Sequence, residues 1–342
     1  SIDTALDGLK CYCNDPVSDF TRCRKLPARS LIECIMSFSN YSSIGELSHF
    51  FVGQGEMPSA SALSQRRQLL DPDIFKRINN LFVSAFDDHT TINGYHILAQ
   101  DGSDVNIPFM DDKTKTEKHD AKSFCQYHVN ALYDCLNKVF YDWSIDAASK
   151  KREVNALISI LKDRNSPQNS IFTADRGYES YNLMAHFIEN DIKFVIRVKD
   201  IHTKSGLMTN IKTEEGAFDI RVTRTLTSLQ TKEIKADKEK YIFVPSTSNF
   251  DFLDETRDLY DLSFRAVRFK ISEDTYETVV TNLSEEEFKT EDFKELYHYR
   301  WNEETAFNKL KYTIGLVYFH ARKRKLIQQE INAAFLMYNV SE

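Results

Sequence analysis

At Tyr95 the hydrophobic period of this chain changes, and that change limits the folds open to it. Before it, apolar residues recur at three- and four-residue steps over Leu26–Asn40, Ile44–Val52, Ser61–Leu70 and Asp73–Phe86. That period predicts a helical region across residues 1–90. After it come the strand-like runs Tyr95–Gln100, Tyr127–Asp134 and Lys138–Ser144, the last two a hairpin around Cys135–Asn137. The charged, Lys-rich stretch Asp111–Ser123 between them reads as an exposed loop. Lys150–Asp163 is helical again, Ile171–Ala174 a strand, Glu179–Asn190 a helix and Ile192–Lys199 a β-branched strand.

Three antiparallel strands followed by helix, strand, helix, strand is the order of an α/β core of the ribonuclease H-like type. That core is a mixed five-stranded sheet flanked by helices, in which the first and fourth strands lie side by side. Both strands run into an aspartate. In YHILAQDGS the strand ends at Asp101, with Gly102 permitting a tight turn; in SIFTADRGY, Asp175 precedes Arg-Gly. Ends of strands are common seats of catalytic groups in sheets with crossover helices. Between Asp200 and Leu283 lies a mostly β block, with strands at Phe218–Thr225, Lys240–Pro245, Leu262–Ile271 and Thr275–Thr281. The expected division is therefore a helical region over 1–90, a core of 91–199 plus 284–342, and a β-rich insertion over 200–283. Phe250, Phe252, Tyr260, Phe264 and Phe269 of that block could stack on an unpaired base, though aromatics in short strands more often belong to a core. Arg265 and Arg268 fall on opposite faces of their strand, so at most one of them reaches a surface shared with DNA.

Beyond the insertion, FKELYHYRWNEETAFNKLKYTIGL (Phe293–Leu316) has the pattern of one amphipathic helix stopped by Gly315. Tyr297, Arg300, Glu304 and Lys311 stand at offsets of 0, 3, 7 and 14. At about 100° per residue they share a sector of roughly 60°. Most Arg/Glu pairs four residues apart are surface ion pairs worth a few tenths of a kcal/mol. The two strand-end aspartates give this pair another meaning. Two Asp and a Glu converging on one point suit Mg²⁺, a hard ion that takes oxygen ligands. Two such ions about 4 Å apart would activate an attacking hydroxyl and stabilise a leaving oxygen.

The Asp-Gly-Ser, the Asp-Arg-Gly-Tyr and the Y-x2-R-x3-E-x6-K spacing resemble the DDE transposases of the insertion-sequence-4 group, from about Arg24 to the end of the chain. Ser103 stands where Thr is common in that group, keeping the hydroxyl. The resemblance implies an insertion ahead of the Glu-bearing helix, in keeping with the 129 residues that separate Asp175 from Glu304. It implies that Asp101, Asp175 and Glu304 are the metal-binding and catalytic carboxylates, Glu303 falling outside the spacing. The cofactor would be two Mg²⁺ ions, with Mn²⁺ as the alternative. Tyr297, Arg300 and Lys311 would grip phosphates beside the scissile bond, Arg by its planar fork and Lys as a point charge. Arg176 would contact a backbone phosphate or pair with a local carboxylate, while Trp301, about 100° off the site face, is expected in the core. The partners implied are double-stranded DNA, at transposon terminal repeats and target, and a second copy on paired ends. The reaction implied is cleavage at the transposon end and joining of the 3′-OH to target, by cut-and-paste through a DNA hairpin. MPSASALSQRR (Met57–Arg67) resembles the segment that precedes a helix of this group's N-terminal DNA-binding region; Ser59 or Ser61 would serve equally as an ordinary helix cap.

Composition narrows the alternatives. No apolar run approaches the ~20 residues of a membrane span, and no cleavable leader is visible. The first residue is not Met and the last lies in the helical pattern Ile327–Val340, which suggests a trimmed chain. The six cysteines (11, 13, 23, 34, 125 and 135) lack the pairing of a zinc knuckle, so a reduced, cytoplasmic chain is expected; the transposase resemblance implies that it is bacterial and nucleoid-associated. A net charge of −7 argues mildly against a nucleic-acid partner. Local clusters at Arg22/Arg24/Lys25/Arg29, Arg66/Arg67, Lys150–Arg152 and Arg322–Lys325 argue the other way if they gather near the carboxylates. The competing readings are a ribonuclease H-like nuclease without strand transfer, a domesticated or truncated DNA-binding protein, and a protein-interaction module.

Overall fold

The computed structural model describes the 342 residues except 23, 54, 87, 119–120, 149–152, 164–165, 204, 246 and 274, and gives the backbone alone at 117, 118, 121 and 163. The basic stretch Lys150–Arg152 and Cys23 lie outside the described residues. The first region is helical as expected: α1 (Ile2–Asp7), α2 (Ala28–Met36), α3 (Ser43–Phe50), α4 (Ala60–Leu69) and α5 (Asp73–Val83). Ser59 caps α4, its Oγ accepting the Ala62 N–H at 3.1 Å, which satisfies one of the helix's orphan donors.

Next come β1 (His96–Ile107), β2 (Lys115–Lys118), β3 (Ala121–Asp134) and β4 (Val139–Ala147). They are followed by α6 (Glu153–Asp163), β5 (Ser170–Ala174), α7 (Tyr181–Glu189) and β6 (Lys193–Val198). β3 pairs antiparallel with β1 and β4, while β5 lies parallel to β1 and β6 parallel to β5. The resulting order β4-β3-β1-β5-β6 is the one expected from the sequence. Alternation explains how both faces are filled. Ile97, Ala99, Val129, Ala131, Ile171 and Val195 point into one core, whereas Leu98, Leu132, Phe172, Phe194 and Ile196 point into the other. Strands covered on both faces need apolar residues at successive positions, and SIFTA is buried throughout.

The block after β6 holds β7 (Phe218–Thr227), α8 (Lys232–Ala236), β8 (Tyr241–Phe243), β9 (Leu259–Ser272) and β10 (Thr275–Thr281). β10 pairs antiparallel with β6, and the sheet continues outward through β9, β7 and β8. The sheet thus has ten strands rather than five. The aromatics of this block serve packing: Phe250, Tyr260, Phe264 and Phe269 are buried, and Phe252 packs on Phe250 and Tyr260. Neither Arg265 nor Arg268 faces solvent. Arg265 grips Asp219 at 2.7 and 2.5 Å, and Arg268 turns to Asp200 and the Gly216 carbonyl.

Three expectations are corrected here. β1 does not stop at Asp101; the strand runs six pairs further, through Gly102↔Asn130 to Ile107↔Cys125. Gly102 makes no turn. A Cβ there would lie 2.3 Å from the buried ring of His128, so this glycine serves the close approach of another side chain. Asp111–Ser123 is not simply an exposed loop, because it contains β2 and the start of β3. Asp112 anchors it, accepting from Thr114 N–H at 2.9 Å and from Arg324 at 2.6 Å. Finally, Phe293–Leu316 is not one helix. It divides into α9 (Asp292–His298) and α10 (Trp301–Tyr312), with α11 (Arg324–Ser341) closing the chain.

Candidate active site

The parallel pairing of β1 and β5 runs from His96↔Ser170 to Gln100↔Ala174. The next residue on each strand is an acid, Asp101 on β1 and Asp175 just past β5, so strand register alone sets the two carboxylates side by side. Asp175 opens a single 3-10 turn, Arg176–Tyr178, and its Oδ1 accepts the Arg176 N–H at 2.6 Å. The sequence order anticipated this adjacency.

The third acid arrives through the join between α9 and α10. There the backbone bonds are i→i+3: Arg300 N–H to Tyr297 at 3.2 Å, Asn302 to Tyr299 at 3.0 Å and Glu303 to Arg300 at 3.1 Å. Such a turn eclipses residues three apart, and the Arg300 guanidinium duly stands 5.6 Å from the centre of the Tyr297 ring. Arg300 is 2% exposed. It reaches Glu304 at 3.0 Å with one terminal nitrogen and Asp101 at 3.6 Å with the other. Tyr297, also buried, points its hydroxyl at Asp175 from 3.5 Å. The structure therefore brings together Asp101, Asp175, Tyr297, Arg300 and Glu304.

The other residues singled out in the sequence stand differently. Lys311 is half-buried and lies within electrostatic reach of Asp104, further along β1; burial lowers its ammonium below the ordinary range, against the pull of Asp104. Arg176 is exposed and, among the described residues, its side chain has no partner. Trp301 is a correction. It is 46% exposed because α10 turns Glu303, Ala306, Phe307 and Leu310 inward instead. With Phe269, Ile271, Lys294 and His298 it lines a cavity of about 660 Å³ beside Tyr297.

Several neighbours of the site escape a reading by spacing. Arg197 of β6 holds Asp175 through Nε and Nη2, both at 2.6 Å, and holds Glu277 of β10 at 2.8 Å. A lone Arg in the apolar run KFVIRV is the signal that could have flagged it. Glu303 is fully buried and accepts the Asp101 N–H at 3.1 Å. The buried His128 lies 2.6 Å from Asp104 and 3.2 Å from Glu153 of α6.

Burial and charge set these acids apart. Burial is the largest influence on Asp101 and raises its carboxyl above the ordinary range; Glu153 and Glu304 add to this, against the Gly102 N–H and Arg300. Burial would also raise Asp175, but hydrogen bonds from Arg197 and the Arg176 N–H outweigh it and hold that carboxyl below the ordinary range. Glu303 is pushed well above its range, chiefly by burial and then by Asp101. The donor set of Asp101, Asp175 and Glu304 is all oxygen, the chemistry a hard divalent cation takes. As the side chains stand, arginines neutralise them instead. Among the described residues, no three acidic, His or Cys side chains are placed to surround an ion.

A cryo-EM structure of a piggyBac transposase synaptic complex with hairpin DNA resembles this chain at 11% identity and a TM-score of 0.44. The similarity covers 91% of this chain but only 64% of that one, so this chain spans less than two thirds of its length. No curated protein matches the chain. The sequence profile of the family described as "Transposase DDE domain" matches residues 92–340, which contain every acid of the site. The chain belongs to the DDE transposase-domain family.

Proposed function

We propose that this protein is a transposase of the insertion-sequence-4 group, cutting phosphodiester bonds at transposon ends and joining the freed 3′-OH to target DNA. The observation that carries the reading is the single Arg300 guanidinium touching both Asp101 and Glu304, with Asp175 one strand away. Three acids supplied by two parallel strands and a helix join, from segments far apart in sequence, serve no evident packing purpose. Their donor chemistry supports Asp101, Asp175 and Glu304 as the holders of two Mg²⁺ or Mn²⁺ ions in a ribonuclease H-like core.

The bound ions would supply a deprotonated attacking oxygen and charge compensation at the leaving one. The chain's own residues position the DNA. With the acids holding metal, Arg300 and Arg197 would be free to turn to DNA, and planar guanidinium forks bind phosphate oxygens well. Tyr297 remains fixed by burial and can orient a phosphate through its hydroxyl. Lys311 adds a positive charge on the Asp104 side, and Arg176 is free to meet the backbone. The helical region 1–90 is assigned to DNA end binding, two copies engage paired ends, and excision proceeds through a hairpin.

The test is a cleavage assay on duplexes carrying the element's ends, with Mg²⁺ or Mn²⁺. Metal-dependent nicking by wild type, abolished in Asp101→Asn, Asp175→Asn and Glu304→Gln, supports the reading. Binding without any nicking by wild type would favour a DNA-binding protein that no longer cuts. Nicking without joining would favour a nuclease.

A further inference from the structure

Two basic clusters that are 40 residues apart in sequence meet in the fold. A cavity of about 460 Å³ lies between the Arg24–Leu26 segment and the start of α4, and Arg24, Lys25 and Arg66 all line it. Lys25 is paired with the exposed Glu56. Arg24 is exposed, and among the described residues it has no side-chain partner.

Arg66 is the unusual member. It is 9% exposed, its Nε donates to the Leu26 carbonyl at 3.1 Å, and its guanidinium lies 4.1 Å from the centre of the Phe20 ring. Its Nη2 is buried and, among the described residues, has no hydrogen-bond partner. A buried charged donor left unpaired is costly. Asp19 and the Cys13 thiol lie within electrostatic range of Arg66, but burial and the neighbouring Arg24 outweigh them and depress its guanidinium. A compact anion in the cavity, beside the rest of the guanidinium, would offset that depression.

The helix start adds donors. The Ser59 side chain and carbonyl take the N–H groups of Ala62 and Leu63. Those of Ala60 and Ser61, two residues earlier in the same turn, have no acceptor among the described residues, and they carry the positive end of the helix dipole. By contrast Arg67, the next residue, turns the opposite way and is buried against Glu330 at 2.7 Å. The two adjacent arginines thus have different purposes: Arg67 fastens the region to α11, while Arg66 faces the cavity.

We propose that this cavity is a phosphate-group site, in which Arg66, Arg24 and the first N–H groups of α4 bind the oxygens of one phosphate. Leu26, Met57, Pro58 and Ala62 give it an apolar wall suited to the sugar of a nucleotide. The site stands apart from the acids of the catalytic centre. That its phosphate belongs to a DNA backbone rests on the transposase reading; that it binds phosphate does not.

The experiment titrates the full-length chain with orthophosphate by calorimetry, then displaces the orthophosphate with a duplex. Wild type binds orthophosphate, Arg24→Gln binds at least tenfold more weakly, and Arg66→Lys, which keeps the charge and stem but loses the fork, also weakens binding. Lys212→Gln, at an exposed lysine outside both sites, binds as wild type does, and the titration needs no divalent metal, so a failure of the catalytic reading leaves this result standing. Displacement by the duplex identifies a backbone phosphate. In that case Arg24→Gln lowers the slope of log affinity against log salt by about 0.9. Binding without displacement keeps the site and assigns it to free phosphate or a nucleotide. No orthophosphate binding by wild type, or equal binding by both arginine variants and wild type, overturns the proposal.

Discussion

Asp175 receives two nitrogens of Arg197 and one backbone N–H at a single oxygen, and that crowding makes it testable. Arg197→Gln removes the dominant lowering influence, so the Asp175 carboxyl titrates at higher pH, as carboxyl NMR would record. An acid held below its ordinary range contributes stability above that range and loses it as pH falls through the lowered value. The variant should therefore be less stable than wild type near neutral pH, with the difference shrinking in acid. An unchanged Asp175 titration would remove Arg197 from the account. Gly102 gives a second check. The His128 ring that a Cβ would strike is pinned between Asp104 and Glu153 and cannot retreat. Gly102→Ala should lose about 1–3 kcal/mol in denaturant unfolding; a neutral result would mean the ring has room to move. The sequence distinguished Glu304 from Glu303 by spacing, and the fold separates them physically, one at the site mouth and one in the core. It did not disclose Arg197, Glu277 or Glu153. Side chains three or four apart in a helix carry their geometry with them, whereas these meet only through strand register and helix docking.

Among the elements, the join between α9 and α10 departs most from expectation. Phe293–Leu316 has the period of a helix throughout, and Tyr299 and Arg300 keep right-handed angles; only the change to i→i+3 bonding divides them. No residue type announces such a change, since neither Gly nor Pro is needed for it. The strand order, by contrast, followed from apolar runs bounded by turns; the reading failed at the end of β1, where Asp-Gly-Ser imitates a turn, and at β2, whose charged residues carry no apolar run. The docking of α11 on the N-terminal helices offers its own prediction. His320 is 3.1 Å from Glu46 and 3.3 Å from Glu330, with a carboxylate at each ring nitrogen. Burial favours the neutral ring, yet the two glutamates outweigh it and raise the imidazole above its ordinary range. A raised histidine adds stability that is complete below the ordinary value near 6.5 and is lost as pH rises through the raised one. Thermal unfolding should show wild type losing stability across that interval and His320→Gln lacking that component. Parallel curves for the two would show that the pair of contacts carries no net charge effect.

Across the whole molecule, one sheet runs from β4 to β8, and Asp101 and Asp175 sit at its middle where β1, β5 and β6 are parallel. The β block that separates Asp175 from Glu304 in sequence joins the sheet beside β6 and contributes Glu277, the second partner of Arg197. It is thus connected to the site by an ion pair as well as by hydrogen-bonded strands. The helical region is fastened by Arg67, whose guanidinium is buried against Glu330, Gln329 and the Leu326 carbonyl. Breaking one side of such a pair costs about 3–5 kcal/mol, so Arg67→Met should unfold in markedly less denaturant; an unchanged midpoint would mean that apolar packing alone holds the region. Arg197, Arg265, Arg268, Arg300 and Arg324 all pair with carboxylates, so these five cations are held within the fold. The most direct test of the central claim is Mn²⁺ binding, followed by electron paramagnetic resonance, to the full chain on end duplex. Wild type should bind Mn²⁺, and Asp101→Asn, Asp175→Asn and Glu304→Gln should each lose it. Mn²⁺ bound equally by wild type and all three variants would contradict a metal site built from these acids.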